Sequence, residues 1–236
     1  MMTMAMLTGQ STEHLAVLCG HHRLQPEAVE AFRALQQAAK DAGFNLQPAS
    51  TFRDFARQQT IWNAKFEGER AVLDENSQPI DISTLSKGEL CCAILRWSAL
   101  PGASRHHWGT DLDIYDPDLL PEGKKLQLEP WEYLEDGYFS ALSQWLTDNM
   151  EQFGFYRPFS DEEQGVAVEP WHLSYRPLST LAEHQLTEDV LRNAWQGQHI
   201  AGSDWLIPHL SDVFSRFITV KDRGHHAMVS RHKKKN

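Results

Sequence analysis

The chain has 236 residues, 41% of them hydrophobic, enough at this length to bury a core without disulfide staples. Charged residues make up 23% and aromatic residues 10%, with eight Trp, which excludes wholesale disorder. Lys and Arg number 22 against 32 Asp and Glu, and a net charge of −10 is the wrong sign for a general nucleic-acid binder.

The N-terminus lacks a basic start, Glu13 and His14 interrupt its apolar character, and no stretch approaches the ~18 apolar residues of a membrane span. The expectation is a cytoplasmic protein with neither a membrane nor a nucleic acid as partner. Over residues 25–42, Val29, Phe32, Leu35 and Ala39 recur at helical spacing, with Pro26 near the start and Gly43 just past the end. Residues 44–51 read as a strand, 55–66 as a helix, 67–88 as a polar loop or lid and 89–97 as a short helix. Residues 109–115 alternate as a strand does, and a polar loop follows over 116–129. Residues 138–150 form an amphipathic helix with Phe139, Leu142, Trp145, Leu146 and Met150 on one side. Residues 153–156 and 166–175 read as strands. Helices are predicted to start at 187–189 and at 203–204, the second running to about 219.

The predicted fold class is α+β, an antiparallel sheet flanked by helices with a C-terminal helical extension. The expected division is a main domain over 1–176, a helical extension packed on it over 177–222, and a basic tail over 223–236.

Cys19, Cys91 and Cys92 are the only cysteines, and they can build neither a secreted disulfide framework nor a CxxC zinc site. Cys91 and Cys92 read as buried, inert thiols. Most of the twelve histidines, including His14, His21, His22, His184, His199 and His209, read as structural or surface residues. His225, His226 and His232 belong to the basic tail.

Two segments differ. Ser104 to Asp113 reads S-R-H-H-W-G-T-D-L-D, with His106 and Asp113 seven residues apart around Gly109. Glu169 to Tyr175 reads E-P-W-H-L-S-Y, with Glu169 three residues before His172. Two His and one Asp make a ligand set suited to catalytic zinc, with a fourth position left for water. A nearby Glu is what a hydrolase needs as general base. On a straight strand Glu169 and His172 would face opposite sides, so the reading requires a bend near Pro170.

These residues carry a family pattern. The chain resembles the zinc D-alanyl-D-alanine carboxypeptidases related to VanY, whose fold is shared with lysostaphin-type peptidases and the hedgehog signalling domain. The pattern S-x-H-x-x-G-x-x-x-D is met by Ser104, His106, Gly109 and Asp113, and E-P-W-H by Glu169, Pro170, Trp171 and His172. A third element, S-x-[FY]-R followed by Gln, is met by Ser50, Phe52, Arg53 and Gln58.

The resemblance implies one Zn²⁺ per chain, held by His106, Asp113 and His172, with Glu169 activating the attacking water. It also implies that Arg53 faces the substrate carboxylate or the developing oxyanion, with Ser104 and Gln58 in support of the site or the peptide. Trp108 and Trp171 are candidate walls of the cleft.

Two departures stand out. Asp111 occupies a position that is small in many relatives, and Ser174 stands where relatives often carry Arg. Asp111 shares a strand face with Asp113 and is expected to orient a ligand from behind, to act as a nearby like charge, or to face solvent. His107 competes with His106, and only the motif register selects His106. The expected activity is removal of a C-terminal D-alanine from a small peptide or muropeptide. An L,D-carboxypeptidase on recycled tetrapeptide is preferred to a D,D-carboxypeptidase or D,D-dipeptidase, ahead of an endopeptidase or a non-catalytic zinc module.

Overall fold

The structure, a computed structural model, describes residues 1–160 and 165–220. The basic tail and its three histidines lie outside the described residues.

A short helix, α1 (Met4–Leu7), leads into a hairpin of β1 (Ala16–Cys19) and β2 (His22–Leu24), neither of which the sequence reading anticipates. The long helix α2 (Pro26–Asp41) forms where the periodicity places it and buries Val29, Phe32, Leu35 and Ala39. Strand β3 (Gln47–Ser50) is shorter than expected and is followed by α3 (Phe55–Phe66). The Asp54 carboxylate caps α3 by accepting from the Arg57 N–H at 2.7 Å. The helix expected over 89–97 is α4 (Lys87–Leu95), which starts earlier because Ser86 and Glu89 form a reciprocal capping box.

Strand β4 (Asp111–Tyr115) precedes α5 (Pro130–Tyr133), α6 (Ser140–Asn149) and β5 (Phe155–Tyr156). The strand expected over 166–175 is only β6 (His172–Tyr175). Pro170 has no N–H to give a ladder, and the Glu169 carbonyl accepts from the His172 N–H at 3.1 Å, which closes a turn instead. Four helices follow: α7 (Arg176–Gln185), α8 (Glu188–Ala194), α9 (Ser203–Leu206) and α10 (Leu210–Val213). The single helix expected from 203 to 219 is therefore interrupted, with Pro208 between α9 and α10 and a π-turn over Phe214–Ile218. Among the described residues, no helix is long and apolar enough to cross a membrane.

Strands β3, β4, β6 and β5 form one antiparallel sheet in that order. Its two faces differ because successive side chains point to opposite sides. Leu112, Ile114 and Leu173 are fully buried in an apolar cluster with Phe32 and Leu35 of α2 and Leu142 and Leu146 of α6. The alternate positions, Asp111, Asp113, His172 and Ser174, present polar groups on the other face. A second apolar cluster joins Trp62 of α3 and Ile94 of α4 to Leu191, Trp195, Leu206, Leu210 and Val213 from the C-terminal helices. The indole N–H groups of Trp62 and Trp195 are both buried, and they donate to the Ala201 and Pro101 carbonyls at 2.9 and 2.8 Å. These bonds remove the cost of burying two polar atoms in that cluster.

Candidate active site

Strand register assembles the site. Ser50 pairs with Asp113 across β3 and β4, and Asp113 pairs with His172 across β4 and β6. His106 arrives from a buried 3₁₀ turn, Arg105–Trp108, which ends at Gly109 with φ +68°. A Cβ at Gly109 would sit 2.4 Å from Leu15 Cδ2 and 3.2 Å from the Gln25 nitrogen, so the turn needs glycine for both its backbone and its neighbours.

One ligand atom each from His106, Asp113 and His172 lies within 4.8 Å of the others, and all three residues are buried. His106 Nε2 is 3.4 Å from Asp113 Oδ2, and His172 Nδ1 is 3.3 Å from Asp113 Oδ1. Ligands ~2.0–2.1 Å from a tetrahedral zinc lie ~3.3 Å apart, so these separations match the edges of such a site. Asp113 Oδ1 is a buried carboxylate oxygen without a hydrogen-bond partner, as a metal-facing atom would be.

The remaining ring nitrogens are occupied in a way that turns the correct ones inward. His106 Nδ1 donates to the Thr51 carbonyl at 2.8 Å, which leaves the Nε2 lone pair free. His172 Nε2 donates to Asp111 Oδ2 at 2.8 Å, which leaves Nδ1 free. Asp111 is fully buried, so the solvent-facing reading is excluded. Its Oδ2 also accepts from Arg105 Nε at 2.8 Å, and its Oδ1 from Thr110 Oγ1 at 2.6 Å and Ser174 Oγ at 2.9 Å. The two departures from the family pattern thus face each other as the β4–β6 pair Asp111 and Ser174. Arg105 Nη2 donates to Ser174 Oγ and to the Tyr156 hydroxyl, both at 2.9 Å, and Nη1 to Glu183 Oε2 at 3.3 Å. Burial works against ionising Asp111, yet the Arg105 guanidinium and His172 outweigh it and hold the carboxyl well below the usual range. The sequence offered no signal for Arg105, since an Arg beside two histidines in a turn reads as a surface residue.

His107 is separated from His106 by direction. Its Nδ1 donates to the Arg53 carbonyl at 2.6 Å and its Nε2 accepts from the Gly102 N–H at 3.0 Å. Burial pushes its pKa down to about 3, so the ring is neutral and fixes the backbone that carries Arg53.

Glu169 meets the site through the turn at Pro170, with Oε2 3.4 Å from His172 Nδ1. Arg53, Ser104, His106, Asp113, Glu169, Trp171 and His172 all line one cleft of about 350 Å³. Trp108 does not line it and lies under the Arg105 guanidinium at 4.7 Å. Gln58 is fully buried and does not line the cleft either. Its Oε1 accepts from Arg53 Nη1 at 2.8 Å and its Nε2 donates to the Ala99 carbonyl at 2.7 Å, so it steadies Arg53. Arg53 Nη2 donates to Ser50 Oγ at 3.3 Å.

The model of the family described as VanY, D-alanyl-D-alanine carboxypeptidase, matches residues 21–178, more than half of the chain. The chain belongs to the VanY family. An uncharacterized protein of Haemophilus influenzae is 51% identical over 121 residues, which are 50% of this chain and 92% of that protein. A crystal structure of the vancomycin resistance D,D-pentapeptidase VanY, solved as a mutant with Zn(II), aligns with TM-score 0.51 at 24% identity, covering 77% of this chain and 91% of that one. The LdcB LD-carboxypeptidase aligns with TM-score 0.50 at 21% identity, covering 78% and 80%. The last two likenesses carry the fold: this VanY-family chain has the mixed architecture of the zinc peptidases. Every residue of the triad, with Glu169 and Arg53, falls inside the matched segment.

Proposed function

We propose that the protein is a zinc-dependent carboxypeptidase that removes a C-terminal D-alanine from peptidoglycan-derived peptides, preferring the L,D bond of a tetrapeptide. The observation that carries this reading is the buried triad of His106, Asp113 and His172 beside Glu169 and Arg53 in one cleft. A structural zinc site requires neither of the last two residues. The L,D preference follows from the proposed compartment: removing D-alanine from pentapeptide precursors would deplete the substrate for wall cross-linking, whereas trimming a recycled tetrapeptide carries no such penalty. A cytoplasmic site of action belongs to the same proposal and is checked by cell fractionation.

His106 Nε2, His172 Nδ1 and the Asp113 carboxylate would hold the ion. When bound, zinc supplies Lewis-acid polarisation and makes water a usable nucleophile near neutral pH. Glu169 takes a proton from the attacking water as the new C–O bond forms at the carbonyl before the terminal residue. It then returns a proton to the departing nitrogen as the C–N bond breaks. Arg53 offers a planar fork of donors, two already held by Gln58 and Ser50, which leaves others for the terminal carboxylate or the developing oxyanion. Arg105 and Asp111 keep the His172 proton on Nε2.

The family description favours a second reading, D,D-carboxypeptidase activity on pentapeptide. The test is to incubate zinc-loaded protein and its Glu169→Ala variant with muramyl tetrapeptide and pentapeptide and to weigh the products. Loss of one alanine from the tetrapeptide, absent in the variant, supports the L,D assignment. Cleavage of the pentapeptide alone moves the enzyme to the D,D class, and cleavage of neither rejects the carboxypeptidase reading.

A further inference from the structure

The charge of the cleft runs against the charge of the chain. A protein of net charge −10 lines this cleft with four cations, Arg53, Lys65, Arg70 and Arg105, against three carboxylates, Asp113, Glu129 and Glu169. With Arg105 paired to Asp111, and Asp113 and Glu169 set aside as candidate ligand and base, Arg53, Lys65 and Arg70 share the cleft with one remaining carboxylate, Glu129, which accepts from Trp131 Nε1. Among the described residues, none of the three forms a salt bridge with a carboxylate. Ile61 and Lys65 of α3 are four residues apart and share the helix face that lines the cleft, while Trp62 is buried in the core. Lys65 is half-buried, and its ammonium has three donors, of which one goes to Ser98 Oγ at 2.7 Å. Arg70 lies just past the C-terminus of α3 and is exposed.

Burying an ammonium beside other cations is unfavourable unless something anionic comes to meet it. Burial lowers the Lys65 pKa, and the charges of Arg70 and Arg53 lower it further, while Glu169 raises it. Lys65 therefore lies close enough to feel both the candidate general base and the candidate carboxylate-binding Arg. A peptide ending in D-alanyl-D-alanine brings one carboxylate to this region, and Arg53 is placed to take it. The other two cations call for a second.

We infer that Lys65 and Arg70 form a subsite for a second substrate carboxylate, carried on the side chain of the residue that precedes the terminal D-alanine. This rests on the carboxypeptidase reading above and names its substrate class: peptides with a diamino-diacid residue, such as meso-diaminopimelate, before the scissile bond. Such a residue keeps a free carboxylate, beside an ammonium, at the far end of its side chain, whereas lysine there ends in an ammonium alone and alanine in neither; the carboxylate is what the subsite would read. The subsite would give selectivity through an added attraction in a partly desolvated cleft, where charge pairs are stronger than in water.

The experiment compares four tetrapeptides of the form L-Ala-γ-D-Glu-X-D-Ala. X is meso-diaminopimelate, its side-chain carboxamide or L-lysine, and the fourth peptide keeps meso-diaminopimelate but amidates the glutamate. Values of kcat/KM are measured for the zinc-loaded wild-type protein and for Lys65→Met and Lys65→Arg. The wild type is expected to favour the acid over the side-chain carboxamide by about tenfold, equivalent to ~1.4 kcal/mol. Lys65→Met should bring that ratio to within about twofold of one, and Lys65→Arg should restore most of it. Equal cleavage of acid and carboxamide by the wild type overturns the subsite while leaving the carboxypeptidase standing. A preference that follows the glutamate carboxylate instead, or that survives in Lys65→Met, overturns the assignment to the side chain or to Lys65. Cleavage of none of the four rejects the carboxypeptidase reading and the subsite with it.

Discussion

Replacing Asp111 by Asn tests the reasoning about the site most severely, because it keeps the shape of a fully buried side chain and removes its charge. Asp111 accepts four hydrogen bonds, from Arg105, His172, Thr110 and Ser174, at 2.6–2.9 Å. An amide can offer only one oxygen to those four donors, and its NH₂ group then faces a donor or turns the His172 ring to the other tautomer. With the proton on Nδ1, the atom that faces Asp113 and Glu169 is no longer a free ligand. Loss of a partner behind a metal-binding His costs roughly 10–100-fold in metal affinity or activity, or about 1.4–2.7 kcal/mol. The same change leaves Arg105 as a buried charge without its principal counter-ion, which costs about 3–5 kcal/mol of stability. For a domain of this size, that loss corresponds to a fall in Tm of roughly 6–20 °C. The assay is zinc competition against a chromophoric chelator on protein shown to be folded by circular dichroism, with thermal melts of the metal-free protein alongside. A folded Asp111→Asn variant that binds zinc within twofold of wild type would refute the claim that Asp111 sets the His172 tautomer. An unchanged Tm would refute the claim that it supports Arg105.

Three further outcomes follow from the same geometry. His106→Ala should abolish zinc-induced stabilisation, about 2.7 kcal/mol at a hundredfold excess over Kd, while His107→Ala should lower the Tm and retain zinc binding; isothermal titration and melts with and without zinc separate the two. Gly109→Ala should cost at least ~1–3 kcal/mol, because φ +68° disfavours a side chain and Leu15 occupies its place; urea denaturation measures this, and a loss below ~0.5 kcal/mol would show that the turn relaxes freely. Thiol labelling followed by mass mapping should find exposed Cys19 reacting first and Cys91 only on unfolding, since Cys91 is buried and desolvation pushes its thiol up to about 12.

Helix α2 is where periodicity and local punctuation suffice to place an element: apolar residues three and four apart, Pro at its start and Gly past its end. The strands were less legible. Residues 166–171 are apolar enough to suggest a strand, but Pro170 and the Glu169 turn withdraw them from the ladder, and the distance between Glu169 and His172 depends on that turn. The hairpin of β1 and β2 leaves no signal in the sequence because strands of four and three residues are too short to establish a period of two. Apolar spacing that continues on either side of Pro208 suggests one helix, but the proline, which cannot donate an N–H and crowds the preceding turn, divides it into α9 and α10.

The sequence by itself put the candidate chemistry on offer: two His and one Asp as candidate metal ligands, a Glu and an Arg that the family resemblance singles out, and an α+β chain to carry them. Motif residues are legible in this way because a reaction restricts residue type and local spacing. Only the tertiary structure decided which imidazole nitrogens face inward, that His107 turns to the Arg53 carbonyl, and that Gln58 steadies Arg53 from within the core. It alone brought Arg105, Asp111, Ser174 and Glu183 into one buried network and aligned Lys65 and Arg70 with Arg53 along the cleft. The physical reason is that burial and pairing are properties of strand register and helix packing between segments tens of residues apart. A charged residue in sequence has its hydration as the default partner, and only the fold removes that water and supplies, or withholds, a replacement.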